Sequence, residues 1–537
     1  MKKVFLTCIL LGSALGLRAQ ALNAQALQQV NENMFKFGRF MYYLSSSYVD
    51  TVNIDKLTET AIVKVLHELD PHSSYTSVKD AKATTESLLG NFEGVGIEFN
   101  IMSDTLLVVS PIAGGPSQKV GIAAGDRIVE VDGENIAGVG LSNISVQKKL
   151  RGPKGTVVNV RVLRRGVAEL LDFTITRDKI PLYSLDAKFW AAPGVAYLRL
   201  GRFSGTSHKE IVDALKELGK NPDGIILDLR GNTGGMFDAA TQIADEFLPK
   251  GQLMVYNEGR AIPRMDFVAS DTLSKFERGK LIVLIDENSA SASEIVAGAV
   301  QDWDRGLLVG RRSFGKGLVQ NQSELPDGSL VRVTVAHYHT PTGRMIQRPY
   351  DKGKSEKYYR DFYSRYSSGE MYSADSMKAL PDSLKFLTLK NKRKVYGGGG
   401  IIPDVFVPLD TSSFTQYHLQ LVRKGILNQF TLRYVDKNRD MLKQAYPTFR
   451  QFNERYSVSG ELFDELVAFA EEQKLPRKDD EVAKAKHDIC IQLKGLIAQD
   501  IFTTSAYYEV VYPAIDNGYQ KALEIMRDWK NYEKLLK

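Results

Sequence analysis

Residues Leu281-Ile282-Val283-Leu284-Ile285 form five consecutive apolar positions. A run with no polar alternation reads as a strand buried on both faces, so whatever the chain folds into must cover a sheet from two sides. Directly after it come Asn288-Ser289-Ala290-Ser291-Ala292-Ser293-Glu294, and then Ile295, Ala299 and Val300 at helical spacing. The chain therefore passes from buried strand to helix across a serine cluster. A helix N-terminus carries unpaired N–H groups and the positive end of the helix dipole, which favour developing negative charge. A hydroxyl there suits a nucleophile; the same serines would also serve simply as N-caps.

Two further stretches bear on that choice. Gly310-Arg311-Arg312-Ser313-Phe314-Gly315-Lys316-Gly317-Leu318-Val319-Gln320 holds a lysine between two glycines. Glycines allow close packing, and a buried lysine gives up its proton more readily than the reference pKa of about 10.4 implies. A neutral lysine beside a serine is one variant of the serine–base arrangement, although a lone Gly-Lys-Gly also fits a solvated loop. Gly224-Ile225-Ile226-Leu227-Asp228-Leu229-Arg230-Gly231-Asn232-Thr233-Gly234-Gly235-Met236-Phe237 runs from apolar strand into a glycine turn. Glycine N–H groups in such a turn can converge on one oxygen as part of an oxyanion hole, or the turn is only a connection.

As a set, in this order, the stretches resemble the C-terminal processing (tail-specific) peptidases, the serine–lysine family S41 that includes the D1-processing enzymes. Pro341-Thr342-Gly343-Arg344 and Ile401-Ile402-Pro403-Asp404 fit the same pattern, which covers roughly residues 60 to 410. The resemblance implies Ser291 as nucleophile, Lys316 as general base and Gln320 as the residue orienting the lysine amine. It implies an oxyanion hole from the N–H of Ala292 and of one of Gly234 or Gly235. Asp302 matches a motif aspartate, for which a structural role is expected. Thr233 stands where the family carries proline, which leaves the backbone glycines in place. The implied fold is an α/β crotonase/ClpP-like core, and strand–helix alternation from residue 180 onward is compatible with it.

Residues 88–178 read differently, as short strands broken by glycine turns. Phe92-Glu93-Gly94-Val95-Gly96-Ile97 and Ala124-Gly125-Asp126-Arg127-Ile128 resemble a PDZ domain. In that family Val95, Gly96 and Ile97 would form the loop that holds a peptide's terminal carboxylate, the peptide adding as a strand beside it. Protein substrates with apolar C-terminal tails are the partners this implies.

The remainder frames these two units. Residues 1–20 carry two lysines and a short apolar run, which reads as a signal peptide cleaved near Ala19 or Ala21. An uncleaved anchor is the rival reading. Export to a bacterial periplasm or cell envelope follows. In residues 21–87 the positions Leu27, Val30, Met34, Phe37, Met41 and Leu44 mark one apolar helix face, suited to the subunit's own core or to a dimer. His72, in Leu69-Asp70-Pro71-His72-Ser73, reads as structural because the lysine already fills the role of base. The peptidase core is expected over 179–410, interrupted at about 350–396 by a polar surface insertion. Residues 411–537 read as helical, with faces at Leu462, Leu466, Phe469 and at Ile515, Tyr519, Ala522, Met526. A dimer scaffold, an adaptor-binding surface and a cover are all open for that region. The net charge of +6 over 537 residues gives no reason to expect nucleic acid. His337 and His339 share a strand face, but without a carboxylate or cysteine cluster no metal or other cofactor is expected. The competing readings are a chymotrypsin-like protease, which Thr233 at the serine position disfavours, and a catalytically silent PDZ scaffold or chaperone.

Overall fold

The computed structural model describes residues 2–219, 222–270, 276–376, 381–412 and 415–537, with side chains from residue 25 onward. The signal-peptide segment therefore falls outside the described side chains. The apolar run Lys280–Ile285 is the centre of a six-stranded sheet ordered Leu185–Ala192, Val195–Leu200, Gly224–Asp228, Lys280–Ile285, Leu307–Gly310, Val405–Phe406. Every pairing is parallel except that of the first two strands. Parallel strands need crossover helices, which here cover one face. The helices Phe237–Asp245 and Ala292–Asp302 bury Ile243, Ala244, Ile295 and Val296 against Ile225, Leu227, Leu281 and Val283. The other face, Tyr197, Ile226, Ile282 and Leu284, is closed by the helix Asn517–Arg527 through Tyr519, Ala522, Ile525 and Met526.

This cover answers one open question about residues 411–537. Of the face at Ile515, Tyr519, Ala522 and Met526, the last three are consumed by the subunit's own sheet, whereas Ile515 packs on the helical core. The face at Leu462 and Leu466 closes a separate helical core with Phe430, Val435, Ile489 and Leu493. In contrast, Leu27, Val30, Met34 and Phe37, on the helix Lys2–Ser47, remain exposed.

The PDZ-like unit is an antiparallel sheet ordered Ile97–Met102, Thr105–Pro111, Arg127–Val131, Val157–Leu163, Leu171–Thr176. It joins the rest through the two-stranded pairing of Asn91–Gly94 with Asp178–Pro181. Arg127 also pairs with Asp436 at 2.7 Å, and Arg165 donates to the carbonyls of Asp436 and Lys437. A second sheet, built from Ser74–Thr76, Leu253–Glu258, Met265–Val268, Leu318–Glu324 and Leu330–His339, stands beside the central one.

The insertion at 350–396 is not confined to the surface. Its helix Ser355–Ser367 buries Tyr358, Phe362 and Arg365. Phe362 lies 5.0 Å from the ring of Phe314, beside the lysine loop, and Arg365 donates to the carbonyls of Arg312 and Ser313. Three buried side chains at helical spacing were concealed in a stretch that is otherwise polar.

Asp302 has the structural part expected of it. It pairs with the buried Arg344 at 2.6 Å and accepts from Thr342 N–H and Oγ1. Truncating one partner of a buried pair strands the other charge and costs about 3–5 kcal/mol. Arg344→Ala is therefore expected to lower unfolding free energy by that amount in urea denaturation, and Asp302→Ala similarly.

Candidate functional site

The serine cluster, the glycine turn and the lysine loop meet around a cleft of about 890 Å³. Ser291, Ala292, Gly234, Gly235, Lys316 and Gln320 all line it, together with His72, Met236, Phe237, Leu318, Arg332 and Tyr338. The three serines differ in what their hydroxyls do. Ser289 Oγ donates to the Leu229 carbonyl at 2.8 Å, and Ser293 Oγ to the Asn232 carbonyl at 2.8 Å. Both stitch the helix start to the neighbouring turn. Among the described residues Ser291 Oγ donates to no carbonyl; Ser291 lines the cleft and forms the capping box of the following helix with Glu294.

Ser291 also carries the backbone distortion of the site, with φ +56° and ψ −112° directly before the helix Ala292–Asp302. A non-glycine residue held there costs on the order of 1–3 kcal/mol, so its surroundings must over-determine it. They do so through Glu294, one turn on. Its Oε2 accepts from Ser291 N–H at 2.8 Å and Lys316 N–H at 2.9 Å, and its Oε1 from Ser313 Oγ at 2.5 Å and Gly315 N–H at 2.7 Å. The Tyr338 hydroxyl adds a second tie, 2.6 Å from the Lys316 carbonyl and 3.1 Å from that of Ser291. Burial pushes the Glu294 carboxyl up to about 7, although the four donated hydrogen bonds favour its ionised form.

Lys316 Nζ donates to Gln320 Oε1 at 3.0 Å, and Gln320 Nε2 donates to the His72 carbonyl at 2.6 Å. No hydrogen bond joins Lys316 to Ser291 Oγ among the described residues. Burial lowers the Lys316 pKa and the Arg332 charge lowers it further, against Asp70 and Glu294. His72 belongs to a turn in which Asp70 accepts from His72 N–H, Ser73 N–H and Ser73 Oγ. Its ring meets the Tyr358 hydroxyl at 3.0 Å. Burial and the charges of Lys316 and Arg348 hold its pKa near 3, so the ring is neutral.

In the glycine turn the two candidate donors separate. Gly234 N–H donates to Asn232 Oδ1 at 2.9 Å. Among the described residues neither Gly235 N–H nor Ala292 N–H finds an acceptor. Gly235 has φ +148°, and a Cβ there would stand 2.0 Å from the Phe203 carbonyl oxygen. Asp228, at the strand end, is held at about 2, where Arg230 and Arg199 more than offset burial.

The pattern of peptidase family S41 matches residues 194–352, and that of a PDZ domain matches residues 107–164. Residues 417–503 match a family of unknown function, DUF8443. The chain is 37% identical over 351 residues to a carboxy-terminal-processing protease of Bartonella bacilliformis, covering 64% of this chain and 79% of the relative. It belongs to the carboxy-terminal processing proteases. The carboxy-terminal processing protease CtpB of Bacillus subtilis is 34% identical over 329 residues, covering 60% of this chain and 68% of that one. Among solved structures, the photosystem II D1 C-terminal processing protease aligns at 32% identity with a TM-score of 0.32, covering 57% of this chain and 82% of that one.

The protease is thus a serine-type peptidase with a PDZ domain. In the latter, Ile97–Met102 is an edge strand, which among the described residues pairs on one side only, with Thr105–Pro111. The carbonyls of Val95 and Gly96 are engaged by Ser117 and Ile112. The N–H group of Gly96 donates to nothing among the described residues, while the backbone beside Val95 is engaged in the antiparallel bridge of Gly94 with Arg151. Among those residues no group of three or more His, Cys, Asp or Glu is placed to hold a metal. His339 instead stacks on Tyr256, with ring centroids 4.7 Å apart.

Glu294, Tyr338, Asn232 and Tyr358 were not singled out from sequence. Glu294 left a signal, because Ser291-x-x-Glu294 has capping-box spacing. Asn232 lies within the glycine turn, but its sequence does not say where its amide points; Tyr338 and Tyr358 come from other segments and left no signal.

Lys316 must be neutral to accept a proton, so kcat/KM should rise with pH and level off below the range of a free lysine. Below about pH 7 Glu294 gains its proton and loses an acceptor site. Hydrogen bonds to a charged group contribute about 1.5–3 kcal/mol. Glu294→Gln, which places an NH2 against N–H donors, should therefore lower kcat/KM at pH 8 by about ten- to a hundredfold. A pH profile on a short peptide reads both effects.

Proposed function

We propose that this protease is an exported endopeptidase that binds the C-terminal tails of proteins through its PDZ domain and cleaves them with a Ser291–Lys316 dyad. One observation supports the reading: of three clustered serines, only Ser291 leaves its O–H without a carbonyl acceptor among the described residues, and it lines a cleft shared with a buried lysine. Ser291 Oγ attacks the scissile carbonyl while Lys316 Nζ takes its proton. The N–H groups of Ala292 and Gly235 receive the oxyanion. Gly234, whose N–H is spent on Asn232, supports the turn instead. The tetrahedral intermediate collapses as Lys316 returns the proton to the leaving amine, and an ester to Ser291 remains. Water then attacks that ester, with Lys316 again as base. Gln320 aims the lysine amine, and the His72 carbonyl aims Gln320.

The resting contact of Lys316 with Gln320, in place of Ser291, supports a gated dyad. Occupation of the loop at Val95, Gly96 and Ile97 would shift the unit that Asp178–Pro181 and Asn91–Gly94 join to the core. The partners that fit are exported proteins with apolar tails, and the N-terminal lysines and apolar run support a periplasmic or envelope location. Among the described residues no helix is long and apolar enough to cross a membrane.

The test is cleavage of a loosely folded reporter with an apolar tail. Ser291→Ala should abolish it. Lys316→Ala should lose about 10²- to 10⁴-fold, the usual contribution of a general base. A chelator should change nothing. A Ser291→Ala protein that still cuts refutes the dyad and leaves the silent-scaffold alternative irrelevant too. For the gate, deleting the PDZ unit should change the rate on a peptide too short to reach its groove; an unchanged rate reduces that unit to a tether.

A further inference from the structure

Arg230 opens the glycine turn, and its guanidinium reaches out of the peptidase core. Its Nε and Nη2 meet both oxygens of Asp228, at 2.9, 3.1 and 2.6 Å. Its Nη1 meets both oxygens of Asp516, at 2.8 and 3.1 Å. The ring of Tyr512 lies under it, 5.3 Å from the guanidinium carbon. A Cβ added to Gly518 would stand 2.5 Å from Nη1. The helical C-terminal region thus offers this one cation a carboxylate, an aromatic face and a glycine whose missing side chain leaves it room. All three residues lie beyond residues 194–352, where the peptidase match ends. The backbone of Arg230 is fixed as well: its N–H donates to Asp228 at 2.9 Å and its carbonyl accepts from Arg199 at 3.1 Å.

We propose that Asp516 is a positioning residue for the hydrolysis: through Arg230 it fixes the start of the turn that presents Gly235 N–H to the oxyanion. The inference rests on the serine–lysine reading given above. Oxyanion donors act only when held about 2.7–3.1 Å from where the negative oxygen will be. With one carboxylate gone, the guanidinium is held from one side only and the turn gains freedom at its first residue. The ground-state cleft, lined by other residues, keeps its shape. The loss should therefore fall on kcat.

Asp516 also caps the helix Asn517–Arg527, accepting from Tyr519 N–H at 2.6 Å. Asparagine caps equally well, so Asp516→Asn removes the charge and keeps the cap. The experiment uses the full chain, a chromogenic tetrapeptide and a matching peptide aldehyde, whose adduct with the serine forms an oxyanion. Asp516→Asn should lower kcat at least tenfold with KM within twofold. It should weaken the aldehyde by a similar factor and leave binding of the product peptide unchanged. Asp516→Glu should recover most of the rate. Gly518→Ala, which pushes on Arg230 while leaving the carboxylate in place, should reproduce the defect and carries the test if Asp516→Asn unfolds. Unchanged kcat, or a rise in KM alone, overturns the proposal. Ser291→Ala runs beside them: if it is dead while Asp516→Asn and Gly518→Ala behave as wild type, only the positioning role fails. If it is active, the dyad reading itself is wrong.

Discussion

A single buried carboxylate, that of Glu294, receives hydrogen bonds from the backbone at Ser291, Gly315 and Lys316 and from the Ser313 hydroxyl. Two segments that are not adjacent in the chain are thereby held to one pair of oxygens. The uncommon backbone angles of Ser291 persist because this acceptor, and the Tyr338 hydroxyl behind it, leave the segment no room to relax. The lysine loop inherits its place from the same group. From there the order passes outward by hydrogen bonds, through Gln320 to the His72 carbonyl and through the His72 ring to Tyr358. The N-terminal turn and the inserted helix are thus tied to the lysine, and each also lines the cleft, through His72 and Tyr359.

The central sheet explains why the surrounding regions exist at all. Strands apolar on both faces cannot stand with one face in water, and the helices of the peptidase unit cover only one. The C-terminal helices close the second, and the same region holds Arg127 of the PDZ unit through Asp436. It is a structural bridge between the PDZ unit and the sheet.

Much of this was legible in the sequence where the signal was local. The run Leu281–Ile285, the serine cluster, the Gly-Lys-Gly loop and the glycine turn each announce their backbone by composition within a few residues. The PDZ strands do so through glycine spacing. What was not legible depends on partners far along the chain. Asn232 decides between Gly234 and Gly235 because its Oδ1 takes up one N–H two residues on, and what aims that amide is the Leu200 carbonyl, 32 positions earlier, which accepts from its Nδ2. The helix Ser355–Ser367 looked like solvent-facing chain because Tyr358 and Phe362 are surrounded by lysine, serine and aspartate. The apolar face at Tyr519 and Met526 was visible, but a face does not name its partner, and the partner is a sheet some three hundred residues earlier.

That last separation bears on how the molecule comes into being. Arg230 and Asp516 are 286 positions apart, and Ile226 and Ile282 meet Tyr519 and Met526 over comparable distances. Synthesis runs from the N-terminus, so the peptidase strands emerge long before the helix that shields them. Until that helix arrives, one side of the sheet is an apolar surface with no cover, open to holding factors or to aggregation. Closing so long a loop is slow and entropically unfavourable. The strands that carry the glycine turn and lead to Ser291 therefore reach their final packing among the last steps of folding, and a chain interrupted before residue 517 is a chain without a finished core.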